Sequence, residues 1–227
     1  MTRKSYQRDL DALRTDVAGM GELVLDRLDR ALEATETGDP DLARSVIEGD
    51  EEVNDRYLAL ESDCIDLFAL QQPVASDLRF VAASFKILTD LERVGDLSAN
   101  LAGYTLAATR DRRDAGAPDV DVTAIGEDAR EMLADAVAAY RTEDVARCRA
   151  VAERDDDLDA LCARAGERVV RDLIERDGVD AWDVERVIDD VSRVLLTLRD
   201  VERVGDHAVN VAARTLYMVE NDPALVY

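Results

Sequence analysis

Apolar residues recur at three- and four-residue steps along most of the chain. Leu10, Leu13, Val17, Met20, Val24, Leu28 and Ala31 form one stripe, the spacing that puts side chains on one face of an α-helix. Thr37-Gly38-Asp39-Pro40 then supplies a stop, a cap and a first-turn proline. The same periodicity predicts a second helix over about 41–70, ended by Gln72-Pro73, and a third over about 74–110. Residues 111–119 are polar, contain Gly116 and Pro118, and read as a linker. Three more helices follow at about 120–141, 143–176 and 180–220, with Asp177-Gly178 as a turn.

The second trio repeats the first. Residues 90–100 (DLERVGDLSAN) recur as 200–210 (DVERVGDHAVN), with seven of eleven positions identical at an offset of 110. Each copy lies on the third helix of its half. The expected architecture is therefore all-α, two tandem repeats of a three-helix bundle over residues 1–112 and 118–227.

Acidic residues interrupt the apolar stripes at matched places. Val187, Val191, Val194 and Leu198 lead to Glu202, and Leu78, Val81, Phe85 and Leu88 lead to Glu92. On the second helix of each half, Asp50 follows Val46 and Asp155 follows Val151. Each acid has a polar residue one turn on, respectively Asp206, Asp96, Asn54 and Asp159. At ~1.5 Å per residue, Asp50 and Glu92 both lie about 30 Å from the turn at Pro73. Asp155 and Glu202 are 23 and 24 residues from Gly178. The acids are thus expected to face each other across each bundle.

Grouped carboxylates are costly to bury unless a cation binds them or they take up protons. An all-oxygen set suits hard ions such as Mg²⁺, Mn²⁺, Ca²⁺ or iron. The candidate ligands are Glu92, Asp96, Glu202 and Asp206, with Asp50, Asp155 and Asp159 from the facing helices. The alternative is neutralisation by Arg93, Arg203 and neighbouring arginines without metal. Gly95 and Gly205 are expected to admit a neighbouring helix or bound ions. His207 is the only histidine, and it lies about 100° off the Glu202/Asp206 face.

Composition narrows the functional classes. The chain has 227 residues, with 51 acids against 28 bases and a formal net charge of −23. Its only lysines are Lys4 and Lys86. Such a surface disfavours nucleic acid and anionic membranes as partners and reads as adaptation to concentrated salt. Cys64, Cys148 and Cys162 fall in apolar-periodic segments without paired spacing, the pattern of reduced core residues in a cytoplasmic protein. The polar start argues against a signal peptide, and no apolar run approaches a membrane span.

The segment LQQPVASDLR at 70–79, with the doubled D-x-E-R-V-G-D at 90–96 and 200–206, resembles the PhoU family over nearly the whole chain. The resemblance implies two three-helix bundles side by side, with metal clusters at Glu92/Asp96 and Glu202/Asp206. It implies a regulator that restrains phosphate uptake by acting on the ATPase of the phosphate-specific ABC transporter and relays its state to a sensor protein. A homodimer is the expected assembly. The chain departs from internal symmetry at Asn54, which stands where the second half has Asp159, so weaker metal binding is expected in the first half.

Two other readings compete. A carboxylate-bridged metal store or di-metal enzyme of the ferritin-like kind needs Glu-x-x-His motifs from two helices, which one histidine does not supply. A purely structural dimerisation bundle would hold no metal. No nucleophile–base arrangement, Gly-rich phosphate loop or basic groove is recognisable, so the chain is read as non-enzymatic.

Overall fold

The computed structural model of the chain describes residues 3–70, 75–110, 120–175 and 181–225. The turns expected at Gln72-Pro73 and Asp177-Gly178, and the linker over 111–119, lie outside these residues. The described elements are α1 (Arg3–Thr37), α2 (Pro40–Glu48), α3 (Asp50–Leu70) and α4 (Ala75–Arg110), followed by α5 (Val122–Thr142), α6 (Val145–Glu153), α7 (Asp155–Glu175) and α8 (Ala181–Glu220). No strand occurs among them, as the stripe spacing predicts.

Local chemistry sets the helix ends. Gly38 takes the left-handed conformation, with φ of +66°, which a side chain would oppose. Asp39 then accepts hydrogen bonds from the backbone N–H groups of Asp41 (2.9 Å) and Leu42 (3.1 Å). Pro40 at the first helical position has no N–H to leave unsatisfied. Asp121 and Asp144 cap α5 and α6 in the same way.

The middle helix of each half is broken, where the periodicity predicts continuous helices over 41–70 and 143–176. The breaks fall at Gly49 and Arg154, equivalent positions at an offset of 105. Both residues keep right-handed helical angles. The Gly49 N–H donates to the carbonyls of Ser45 (3.1 Å) and Val46 (3.2 Å), and the Arg154 N–H donates to Val151 (3.2 Å). Each break is a tightened turn, not a loop, so the apolar stripe runs on through it. Its effect is to make Asp50 and Asp155 the first residues of α3 and α7, with Glu51-Glu52 and Asp156-Asp157 behind them. Negative charge is favoured at that end of a helix.

One continuous apolar core runs through both halves, from Leu13, Val24 and Leu28 of α1 to Val204, Ala208 and Leu216 of α8. The halves meet through α1 against α5 and α4 against α8. These contacts are reciprocal. A Cβ on Gly21 would lie 2.7 Å from Val137 Cγ1, and one on Gly126 would collide with Leu32. Gly21 is equivalent to Gly126, and Leu32 to Val137, at the offset of 105. Each half therefore inserts a branched side chain over the other half's glycine, which is pseudo-twofold packing. Between α4 and α5, the Ser84 and Tyr140 hydroxyls lie 2.7 Å apart, giving the buried phenol a partner.

Candidate functional site

The predicted acids gather into one group per half, on the start of the second helix's longer segment and the middle of the third helix. None is fully buried. Glu92, Asp96, Asp50, Asp155, Asp159 and Glu202 are half-buried, and Asp206 is exposed. This corrects the expectation that Glu92 and Glu202 occupy core slots. α8 packs against α4, α5, α6 and α7, so its buried face is wide and is centred on Val201, Val204, Gly205 and Ala208. Glu202 stands at the edge of that face, and Glu92 stands likewise beside Leu91, Val94 and Gly95.

The glycines of the motif permit close helix approach. A Cβ on Gly95 would come within 2.9 Å of Val53 Cγ1 on α3, and one on Gly205 would collide with Leu158 on α7. That approach brings the start of α7 over the middle of α8: Asp155 Oδ1 lies 3.9 Å from the same point on Gly205.

In the second half, five carboxylates act on one another. Burial, then Asp159, Asp206, Asp156 and Glu202, push Asp155 up from the ordinary 3.8 to about 6. Burial, then Asp206 and Asp156, raise Asp159, while burial, then Asp159 and Asp206, raise Glu202. Asp155 Oδ1 and Asp159 Oδ1 are buried and have no hydrogen-bond partner. Arg203 gives no relief, since its Nη1 lies 3.6 Å from Asp200, away from Glu202.

In the first half, three carboxylates are partly neutralised. Asn54 donates to Asp50 Oδ2 at 3.2 Å, and Arg93 lies 3.7 Å from Glu92 and 3.9 Å from Asp96. Burial, then Asp96, raise Asp50, against the Asn54 hydrogen bond and Arg27. Burial, then Asp96, raise Glu92, against the pull of Arg93. Arginine therefore moderates the first-half group, in which Asp50 and Glu92 remain raised, and does not moderate the second.

Among the described residues, no three carboxylate, histidine or cysteine side chains converge closely enough to hold a metal ion. The second-half acids offer the type of donor a hard cation takes, without being drawn together around one point. All their donors are oxygens, two are buried without partners, and the group carries excess negative charge.

Periodicity did not single out the two most buried acids among the described residues, the leading Asp of each motif copy. Asp90 is 5% exposed and Asp200 is 0%. Asp90 of α4 meets His207 Nδ1 at 3.0 Å and Arg214 Nη1 at 3.2 Å, both on α8. Asp200 of α8 accepts from the Tyr104 hydroxyl of α4 at 2.9 Å and pairs with Arg199 at 3.0 Å. Residues 90 and 104 correspond to 200 and 214 at the offset of 110, so the two bonds are reciprocal. They join the halves, and His207 belongs to this seam. The available signal was the identity of the two aspartates within the doubled motif.

These features define a class: an internally duplicated two-bundle helical protein with a group of carboxylates on each half. A PhoU domain model matches residues 17–105 and 122–215. The chain is 31% identical over 219 residues to the phosphate-specific transport system accessory protein PhoU of Edwardsiella tarda, covering 96% of this chain and 86% of that one. It is 30% identical to the protein of the same name from Escherichia coli strain K12, covering 95% and 85% respectively. The fold superposes on the crystal structure of PhoU from Pseudomonas aeruginosa with a TM-score of 0.87 at 28% identity, covering 96% of this chain and 100% of that one. The chain belongs to the PhoU family. No described helix is long and apolar enough to cross a membrane.

Proposed function

We propose that this chain is a non-enzymatic cytoplasmic regulator of phosphate uptake that acts on the ATPase of a phosphate ABC transporter and on its signalling partner. The printed role of its relatives, accessory proteins of phosphate-specific transport, supports that reading. We further propose that its acidic groups hold divalent or trivalent cations, such as iron, Mg²⁺ or Mn²⁺, that shape the docking face. The observation that carries the metal reading is the pair of buried, unpartnered oxygens on Asp155 and Asp159. A bound cation supplies the missing partner and removes the repulsion among Asp155, Asp159, Glu202 and Asp206.

The second-half site should bind more tightly, because it has four acids and no arginine, whereas Asn54 and Arg93 moderate the first. A homodimer is the assembly we expect, supported by the exposure of Val170 (42%), Ile174 (77%) and Ile188 (52%).

Two measurements test this reading. Elemental analysis should show bound metal in the wild type, with the larger loss in Glu202→Gln/Asp206→Asn and the smaller in Glu92→Gln/Asp96→Asn. Unchanged metal content in both variants removes the assignment. In cells, deleting the gene should leave phosphate uptake unrestrained when phosphate is plentiful, and the variant lacking both acidic groups should fail to restore restraint. Normal repression in the deletion strain removes the regulatory role.

A further inference from the structure

The α4–α8 seam opens at one end into a cavity of about 600 Å³, within the size range of small-molecule sites. Its lining is unusual for a chain of net charge −23. Arg79 and Lys86 of α4 and Arg214 of α8 all line it, beside Asn210, Tyr217 and Leu78. Lys86 is one of only two lysines in the chain. Arg79 and Lys86 are seven residues apart, two turns along one face of α4 and about 10 Å in rise.

Arg79 and Lys86 lack the partners that the chain supplies elsewhere. Arg14, Arg27, Arg56, Arg130 and Arg141 each meet a carboxylate. Among the described residues, Arg79 and Lys86 form no ion pair, and Arg79 Nε is buried without a hydrogen-bond partner. Acids on the same stretches of chain are engaged elsewhere. Asp90 holds His207 and Arg214, and Asp222 lies 3.7 Å from Arg149. Asp77 sits about 200° round α4 from Arg79 and acts on Tyr6, whose hydroxyl is raised by burial and then by that charge. The lining itself carries three basic side chains and no acid.

The duplication supplies an internal comparison. At the offset of 110, Arg79, Lys86 and Arg214 correspond to Asp189, Leu196 and Tyr104. The other end of the seam has the same helices and none of the three cations. The basic cavity is therefore not a by-product of the repeat's packing.

We infer that this cavity binds an organic phosphate of nucleotide size, its phosphate on Arg79 and Lys86 and its planar body against Tyr217 and Leu78. Arginine forks and lysine ammonium groups are the natural phosphate donors. Inorganic phosphate, with five heavy atoms, leaves most of the volume empty. Tyr217 is 39% exposed and Leu78 45%, and a planar ring covering both removes apolar surface from water. Asn210 adds a hydrogen-bonding edge. This inference is independent of the metal reading, since none of these side chains belongs to the acidic groups.

Saturation-transfer NMR and calorimetry with AMP, ATP and inorganic phosphate, in the presence of a chelator, test it. AMP and ATP should bind saturably, and Arg79→Ala and Lys86→Leu should each weaken binding at least tenfold. Lys86→Arg should retain it, and Tyr217→Ala should weaken AMP while leaving inorganic phosphate unchanged. Arg44→Ala, which removes an exposed pair with Asp41, should have no effect. Thermal melts of each variant establish that it is folded. No saturable AMP or ATP binding to wild type overturns the inference, as does binding that survives both Arg79→Ala and Lys86→Leu. Equal affinity for inorganic phosphate and AMP overturns the proposed class of ligand.

Discussion

Replacing Asp155 by Asn should stabilise the metal-free protein while weakening its hold on metal. Asp155 is pushed up from 3.8 to about 6 by burial and then by Asp159, Asp206, Asp156 and Glu202. A carboxyl raised on folding makes the fold bind more protons than the unfolded chain. Stability therefore falls as pH rises from about 4 to about 6, and the full penalty is present above that window. Two pKa units correspond to about 3 kcal/mol as a ceiling. Asp155 is only half-buried, so solvent screening lowers this to about 1–2 kcal/mol. Loss of a favourable charge at the start of α7 takes back about 0.5 kcal/mol. The net gain at neutral pH is about 1 kcal/mol, or about 2–4 °C in melting temperature for a chain of this length.

The assay is thermal melting of wild type and variant with a chelator, from pH 7.5 to 4.5, read as the difference between the two. The gain should be full at pH 7.5 and gone near pH 4.5. Adding Mn²⁺ at pH 7.5 should stabilise the wild type more than the variant and reverse the order. A variant that melts below wild type without metal, or a difference that ignores pH, refutes the account of mutually repelling carboxylates.

Three further outcomes follow from the packing. Asp90→Ala should cost about 2 kcal/mol in urea denaturation, below the ~3–5 kcal/mol of a fully buried pair because Arg214 is partly exposed; a double-mutant cycle with Arg214→Ala should show coupling above ~0.5 kcal/mol. Gly126→Ala should destabilise by about 1 kcal/mol, since overpacking Leu32 outweighs the gain in helix propensity, whereas Gly19→Ala, with open space around it, should stabilise by up to about 1 kcal/mol; equal effects of the two would contradict the close approach of α1 and α5. The melting temperature should rise between low and molar salt because screening relieves the excess of 51 acids over 28 bases, and a flat profile would mean that local pairing already suffices.

The helices and their duplication were legible because apolar stripes and a repeated eleven-residue motif are local patterns. The breaks at Gly49 and Arg154 were not, since both residues stay in the right-handed helical region and the stripe continues through them. Only the acidic runs at 50–52 and 155–157 hinted that a helix starts there. Grouping of the seven acids followed from matched heights, but their depth was misjudged. A stripe drawn at four-residue steps has one line, whereas the buried face of α8 is wide enough to serve several neighbours, and Glu202 lies on its margin. Asp90 and Asp200 were visible as repeated letters, yet their partners Arg214 and Tyr104 lie on the other half. No window along one helix reveals a bond across two.

The reciprocal contacts of Gly21 with Val137, Gly126 with Leu32, Asp90 with Arg214 and Asp200 with Tyr104 have a consequence for how such a chain diversifies. In a symmetric dimer of identical subunits, every change appears twice, and each residue must suit itself seen through the axis. Joining both copies in one polypeptide lifts that restriction while keeping the self-complementary surface. One end of the seam is then free to carry Arg79, Lys86 and Arg214 where the other has Asp189, Leu196 and Tyr104, and one half to carry Asn54 where the other has Asp159. A covalent pair of this kind can divide tasks between its two ends that a true homodimer would have to perform identically at both.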